Sequence, residues 1–279
     1  MAMVRIVTDS VADIPPQVAQ ELGITIVPLY VRFGSEVYRD GVELSTEEFY
    51  RKLVTSGTLP VTSAPSPGEM SDIYDKLAGE TDAILSIHVS SRMSAVCEVA
   101  LQGKEQMKNK CRVEVVDSLS GGMGEGLTVI AAAKAARMGA KLDEVADMTR
   151  KAVPKAHVRM CFDTLEYLRK GGRIGRAQAL IGSVLKVNPI VGTKDGEVQP
   201  FGRERSRAKA IDRLYEFAKS LPSIRELAVE HATTPDEAEA LAQRLDAVFP
   251  REHIYISRVA PAVGVHVGPH VIGVAALES

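Results

Sequence analysis

Hydroxyl groups, one histidine and a knot of cations are the residues of this chain whose types and spacing could do chemistry. Three β-branched runs end alike: VTDS at Asp9-Ser10, HVSS at Ser90-Ser91 and VVDS at Asp117-Ser118. In an open parallel sheet, ligands sit outside the carboxyl ends of the strands, and small hydroxyls there can donate to an anion. Ser and Asp at such places also serve simply as caps of the following helices, and both readings stand. VTSAPSPGE adds Thr62 and Ser63 upstream of a helix start, and VSSRMSAV adds Ser94 beside Ser90 and Ser91. Near the C-terminus, VGVHVGPHVIG places His266 between glycines, read as a Gly/Pro loop flanked by apolar strands; a histidine there can donate to a carboxylate or move a proton. RKGGRIGR, residues 169–176, packs Arg169, Lys170, Arg173 and Arg176 among three glycines, a pattern that suits a phosphate, a nucleic acid, a carboxylate or plain solvent.

Other chemistries lack their residues. GxxxxGK[ST] is missing, GGMGEG does not have the GxGxxG spacing, and no GxSxG elbow occurs. His266 and His270 are four apart, but Gly268-Pro269 between them breaks a helix, so no metal site is expected. Cys97, Cys111 and Cys161 are scattered without a CxxC pair and read as reduced thiols of a cytoplasmic protein. No signal peptide and no 18-residue apolar run are apparent, so no membrane insertion is expected. With 34 Lys and Arg against 36 Asp and Glu, the net charge is −2 and any basic function must be local. No tryptophan is present to stack on bases, and no nucleic-acid partner is expected.

The elements that position these residues follow from periodicity. Over 1–153, short β-branched runs alternate with amphipathic ones, which predicts an α/β domain with a doubly wound, mostly parallel sheet. ITIVPLYVRF reads as one strand, Asp13 as the cap of the helix in DIPPQVAQELG, and Ser66, Pro67 and Glu69 as a capping box. From Pro154 the texture changes. HVRMCFDT, PIVGTKDGEVQP, RELAVEHA, HIYISRVA and HVIGVAAL read as strands, with a hairpin signal at KDGE, predicting a second, α+β domain over 154–279 with a mixed sheet. A ligand is expected between the two.

Taken in order, VTDS, TSAPSPGE, SSRMS, VVDS, DTLEYLRKGGRIG and GVHVGPHVIG resemble the DegV family, the fatty-acid-binding subunits of the bacterial fatty acid kinase system, over Val4 to about Leu277. The resemblance implies a two-domain α/β protein that holds one long-chain fatty acid in a tunnel between its domains. It presents the carboxylate to an ATP-dependent fatty acid kinase subunit and carries no cofactor or ATP site of its own. Thr62, Ser94 and His266 would then hold the carboxylate, with Ser63 and Ser91 beside them and Arg173 as supporting charge. Arg169, Lys170, Arg205 and Arg207, from two cation-rich stretches, would face the kinase. Two departures stand out: Ala95-Val96 where the family usually has Gly-Thr, and His270 where it usually has glycine. A second expectation is a stand-alone enzyme of acyl or phosphoryl transfer or hydrolysis using Ser94 and His266.

Overall fold

The computed structural model describes residues 3–181 and 187–279. The first half runs β1 (Arg5–Asp9), α1 (Pro16–Leu22), β2 (Ile24–Val27), β3 (Tyr30–Phe33), β4 (Glu36–Arg39), α2 (Thr46–Thr55), β5 (Val61–Ser63), α3 (Pro67–Ala78), β6 (Ala83–His88), α4 (Val96–Glu105), β7 (Arg112–Asp117), α5 (Met123–Arg137) and α6 (Leu142–Ala152). A 3-10 turn over 153–155 then carries the chain into β8 (Ala156–Cys161), α7 (Glu166–Lys170), β9 (Asn188–Lys194), β10 (Glu197–Glu204), α8 (Arg207–Lys219), β11 (Glu226–His231), α9 (Pro235–Leu245), β12 (Ile254–Arg258), α10 (Pro261–Val267) and β13 (Ile272–Leu277).

Strands β2-β1-β6-β7 form a parallel sheet, as the alternating pattern requires. The second sheet, β10-β9-β8-β13-β11-β12, is antiparallel except at β11–β12, with β9 and β10 joined through Asp195-Gly196. The mixed α/β architecture is thus the expected one, with one addition. ITIVPLYVRF is two strands: β2 joins the parallel sheet, while β3 leaves it after Pro28 to form a small antiparallel sheet, β4-β3-β5. Proline cannot donate to a ladder, so a break there is physically natural.

Five layers result. Helices α3 and α4 cover the outer face of the parallel sheet, where Met70, Tyr74, Ile84 and Val96 are buried together. Helices α8 and α9 cover the outer face of the mixed sheet through Leu214, Leu227, Leu241 and Ile272. Between the sheets lies α5, which packs on β1 and β6 of one and on β8, β11 and β13 of the other. Its alanines 131, 132, 133, 135 and 136 keep it thin enough for that double contact. The GGMGEG stretch starts this helix rather than forming a loop. A Cβ on Gly126 would run into the carbonyl oxygen of Ala12, so glycine here permits close approach.

Ser45 caps α2 by accepting from Glu48 N–H, and at α3 Ser66 and Glu69 form the expected reciprocal box. Asp13 does not cap α1. The helix starts at Pro16 without a side-chain cap, and Asp13, at φ 50°, turns its carboxylate toward α10 instead.

Candidate functional site

Beyond the carboxyl ends of β1 and β6, facing β8, β9 and β10, lies a cavity of about 800 Å³, its open mouth included. Its walls are overwhelmingly apolar: Val11, Leu29 and Val89 from the first half, Met160, Phe162 and Val191 from the second. Five residues with polar side chains reach it: Thr62, Ser94, Arg173, Thr193 and His266. The Thr193 hydroxyl is paired with Ser120 Oγ at 3.1 Å; the other four are the ones that the sequence singles out.

Each of the four is placed by a different element. Thr62 is the middle residue of β5, opposite Val31 of β3, and strand alternation turns it inward while Val61 and Ser63 point out. Ser94 precedes α4, whose N-cap Ala95 offers no side-chain acceptor, so the first N–H groups of that helix lie beside it. Arg173 follows α7; its Nε donates to the Met93 carbonyl at 3.1 Å and its Nη1 to the Gly171 carbonyl at 2.9 Å, tying the β6–α4 loop to its own. His266 sits in the last turn of α10, with Nε2 3.1 Å from Thr62 Oγ1.

Burial first, and then the Arg173 charge, push the His266 pKa down to about 4, so its imidazole is neutral at neutral pH. Among the described residues Arg173 is therefore the one formal positive charge lining the cavity. His266 Nδ1 has no partner and faces the Gly171 backbone so closely that a Cβ there would collide with it. Gly171→Ala is expected to push the ring off Thr62 and weaken binding of a carboxylate ligand by about tenfold, the loss of one good hydrogen bond. Calorimetric titration with oleate would measure it, and unchanged affinity would mean that the ring does not serve the ligand. Among the described residues Ser94 and His266 share no hydrogen bond and no carboxylate is bonded to the imidazole, so the two do not form a hydrogen-bonded nucleophile–base pair in this structure.

An apolar cavity lined, among the described residues, by one cation, three hydroxyls and a neutral imidazole suits an anionic amphiphile. The comparisons with known proteins bear on which. The family model “Uncharacterised protein, DegV family” matches residues 3–279. The chain belongs to the DegV family. Protein DegV of Bacillus subtilis is 35% identical over 279 residues, spanning 97% of this chain and 98% of its own. A DegV domain-containing protein of Streptomyces coelicolor is 36% identical over 97% of both chains. Among solved structures, a DegV family protein from Thermus thermophilus, described as binding fatty acid, superposes with a TM-score of 0.90 at 31% identity, covering 99% of this chain and all of its own.

The DegV motifs land unevenly on the cavity. Thr62, Ser94, His266 and Arg173 meet there; Ser63 and Ser91 do not. Ser63 is exposed on the outer face of β5, and Ser91 donates to Asp117 Oδ2 at 2.5 Å away from the cavity. Of the repeated strand-end hydroxyls, Ser10 accepts from Leu29 N–H, Ser90 donates to the Gly196 carbonyl and Ser118 to that of Ser120, so all three hold loops together. His266 lies in a helix rather than a loop, because the acceptors for the start of α10 come from Asp13 and Asp40, far away in sequence. Both departures from the family pattern fall outside the wall: Val96 is buried under α3, and His270 is exposed, its carbonyl bonded to Arg207.

The four cations assigned to a partner differ too. Arg169 and Arg205 are exposed, and Lys170 is paired with Glu166 at 2.6 Å on the surface. Arg207 is partly buried: it forks onto Glu237, reaches Asp163 at 2.9 Å and donates to His270 O. It stitches α8 to α9.

One constellation went unread in the sequence. Tyr74 O–H donates to Ser86 Oγ (2.8 Å), Ser86 Oγ meets His88 Nε2 (2.7 Å), and His88 Nδ1 meets Asp9 Oδ2 (2.9 Å). The order Asp–His–Ser is that of a hydrolase triad, but Ser86 and His88 are both fully buried and no substrate can reach them. The i, i+2 spacing of Ser86 and His88 on one face of a strand was its only sequence signal. Among the described residues no helix is long and apolar enough to cross a membrane, and no group of three or more His, Cys, Asp or Glu is arranged to hold a metal ion.

Proposed function

We propose that this protein holds one long-chain fatty acid in the cavity, with its carboxylate among Thr62, Ser94, Arg173 and His266, and presents that carboxylate to an ATP-dependent fatty acid kinase subunit. The observation that carries the reading is the gathering of those four residues, from four separate elements, at the edge of a largely apolar cavity. Relatives described as fatty-acid-binding, among them DegV of Bacillus subtilis, align over the whole chain at 31% identity and a TM-score of 0.90, which supports the ligand class.

The chemistry is consistent. A carboxylate leaving water needs hydrogen bonds or a counter-charge, or burial costs several kcal/mol. Arg173 supplies the charge. With its proton on Nε2, neutral His266 donates to Thr62 Oγ1 and frees the Thr62 O–H to donate to the ligand; Ser94 supplies a second hydroxyl. The tail needs only apolar walls: about 14 buried methylenes contribute roughly 11 kcal/mol before ordering costs are subtracted. The exposed cations Arg169 and Arg205 suit a negatively charged partner face or the phosphates of its nucleotide, and transfer of the γ-phosphoryl group to the carboxylate oxygen would give an acyl phosphate and ADP.

Organic extraction of the purified protein followed by mass spectrometry tests the ligand. One fatty acid per chain is the expected result. An empty extract and no uptake of added oleate or palmitate would overturn the reading. Acyl phosphate should form only when a kinase subunit and ATP are both added; turnover by the isolated protein, lost in Ser94→Ala, would favour a stand-alone enzyme.

A further inference from the structure

Helix α10 contributes Ala262, Val263, His266 and Val267 to the cavity wall, yet it has only seven residues, three of them valine and one glycine. A helix of two turns with that composition does not hold itself in place; its position is set by what grips its ends. Its N-cap, Ala260, has no side-chain acceptor to offer. The acceptors come from across the fold. Ala260 N–H donates to Asp13 Oδ1 at 2.8 Å, and Ala262 N–H donates to Asp40 Oδ2 at 3.2 Å, across 247 and 222 residues of sequence. Tyr50 O–H, on α2, adds a bond to the carbonyl of Val259 just upstream.

We propose that Asp13 and Asp40 are positioning residues of the head-group site: they fix the start of α10 and, through it, the place of the His266 ring. The inference rests on the fatty-acid reading for its ligand, though not for its geometry. Ala262 and His266 are i and i+4 on one helical face, stacked one turn apart, so a displacement at the Asp40 bond is carried to the imidazole by a single rigid turn.

The cost of the arrangement points the same way. Asp13 and Asp40 are 5% and 3% exposed, and each leaves one carboxylate oxygen, Asp13 Oδ2 and Asp40 Oδ1, without a partner. No cation is paired with either among the described ion pairs, and Asp9 and Glu230 add like charge nearby. Two buried acids with unused acceptors are an expensive cap for a short helix when Ser, Thr or Asn from the adjacent loop would do. They reach α10 from the β1–α1 turn and the end of β4, two places that a local cap cannot join.

The test compares wild type with Asp40→Ala and Asp40→Asn by three readings: oleate titration, thermal unfolding, and the 15N-edited NMR signals of the His266 ring in ligand-free protein. Asp40→Ala should weaken oleate binding by about tenfold and shift the His266 signals; Asp40→Asn, which keeps an acceptor oxygen for Ala262 N–H, should restore both to within about threefold. A merely stabilising role would lower the melting temperature of Asp40→Ala and leave the ring signals in place, and that result would overturn the proposal. If Asp40→Ala does not fold, Asp13→Ala makes the same comparison at the Ala260 bond. Should wild type take up no oleate, the fatty-acid reading falls, and the ring signals of ligand-free protein still decide whether Asp40 positions His266.

Discussion

Arg173→Ala should weaken oleate binding by about 10- to 100-fold, the value of a hydrogen bond to a charged group. Among the described residues Arg173 is the one formal cation lining the cavity, since His266 is held neutral, so it is the counter-charge within reach of the carboxylate. The side chain also ties Met93 O to Gly171 O, and truncation would free both loops. Arg173→Lys separates the two roles. Lysine keeps the charge but cannot bridge both carbonyls with a planar fork, so its affinity should fall between wild type and alanine. Equal losses in Lys and Ala would assign the effect to the bridge alone. Affinity should also fall as salt is raised, though weakly, because the cavity shields the pair. Wild-type affinity in Arg173→Ala would exclude a carboxylate at this edge.

How much of this was legible follows from range. Local rules were readable: the Ser66-Pro67-Glu69 box and the hairpin at Asp195-Gly196 are decided within four residues. The four cavity residues were readable one by one, Thr62 and Ser94 as hydroxyls before helix starts, His266 between glycines and Arg173 in a knot of cations, but only the family motifs joined them into one site. Facing was the first failure. Thr62 and Ser63 are neighbours on a three-residue strand, and nothing in TSAPS says which of the two turns inward until β5 pairs with β3. Long range was the second. PAVGVHV lacks a capping signal and is poor in helix formers, so it reads as a loop; it is helical because Asp13 and Asp40 supply its missing acceptors. The Asp9–His88–Ser86–Tyr74 chain likewise joins residues from β1, α3 and β6 that no sequence window contains.

The same two buried groups at the ends of α10 should leave opposite marks on the pH dependence of stability. Burial raises the Asp40 pKa from 3.8 to about 6, opposed by the nearby Ser10 hydroxyl and the Ala262 N–H and reinforced by Asp9. Between those values the folded protein binds the proton that the unfolded chain has released, so stability falls as pH rises through this window. At about 1.4 kcal/mol per pH unit the loss approaches 3 kcal/mol above pH 6. His266 behaves in the reverse sense. Its pKa drops from 6.5 to about 4, so over that interval the unfolded chain holds the extra proton and stability rises with pH, again by about 3 kcal/mol. Glu230, raised to about 8, and Asp13 and Glu125, also raised by burial, slope in the same direction as Asp40, so the wild-type curve alone cannot resolve any one of them. Differences between variants can. The stability of Asp40→Asn minus that of wild type should climb by about 3 kcal/mol from pH 4 to pH 6 and then level off; His266→Gln minus wild type should decline by a similar amount from pH 4 to pH 6.5. Urea unfolding at half-unit pH steps would trace both curves. A flat Asp40 curve would mean that water reaches Oδ1 and keeps the carboxylate ordinary. A flat His266 curve would mean an imidazole that can charge near neutrality, and Arg173 would then share its role as counter-charge for the ligand.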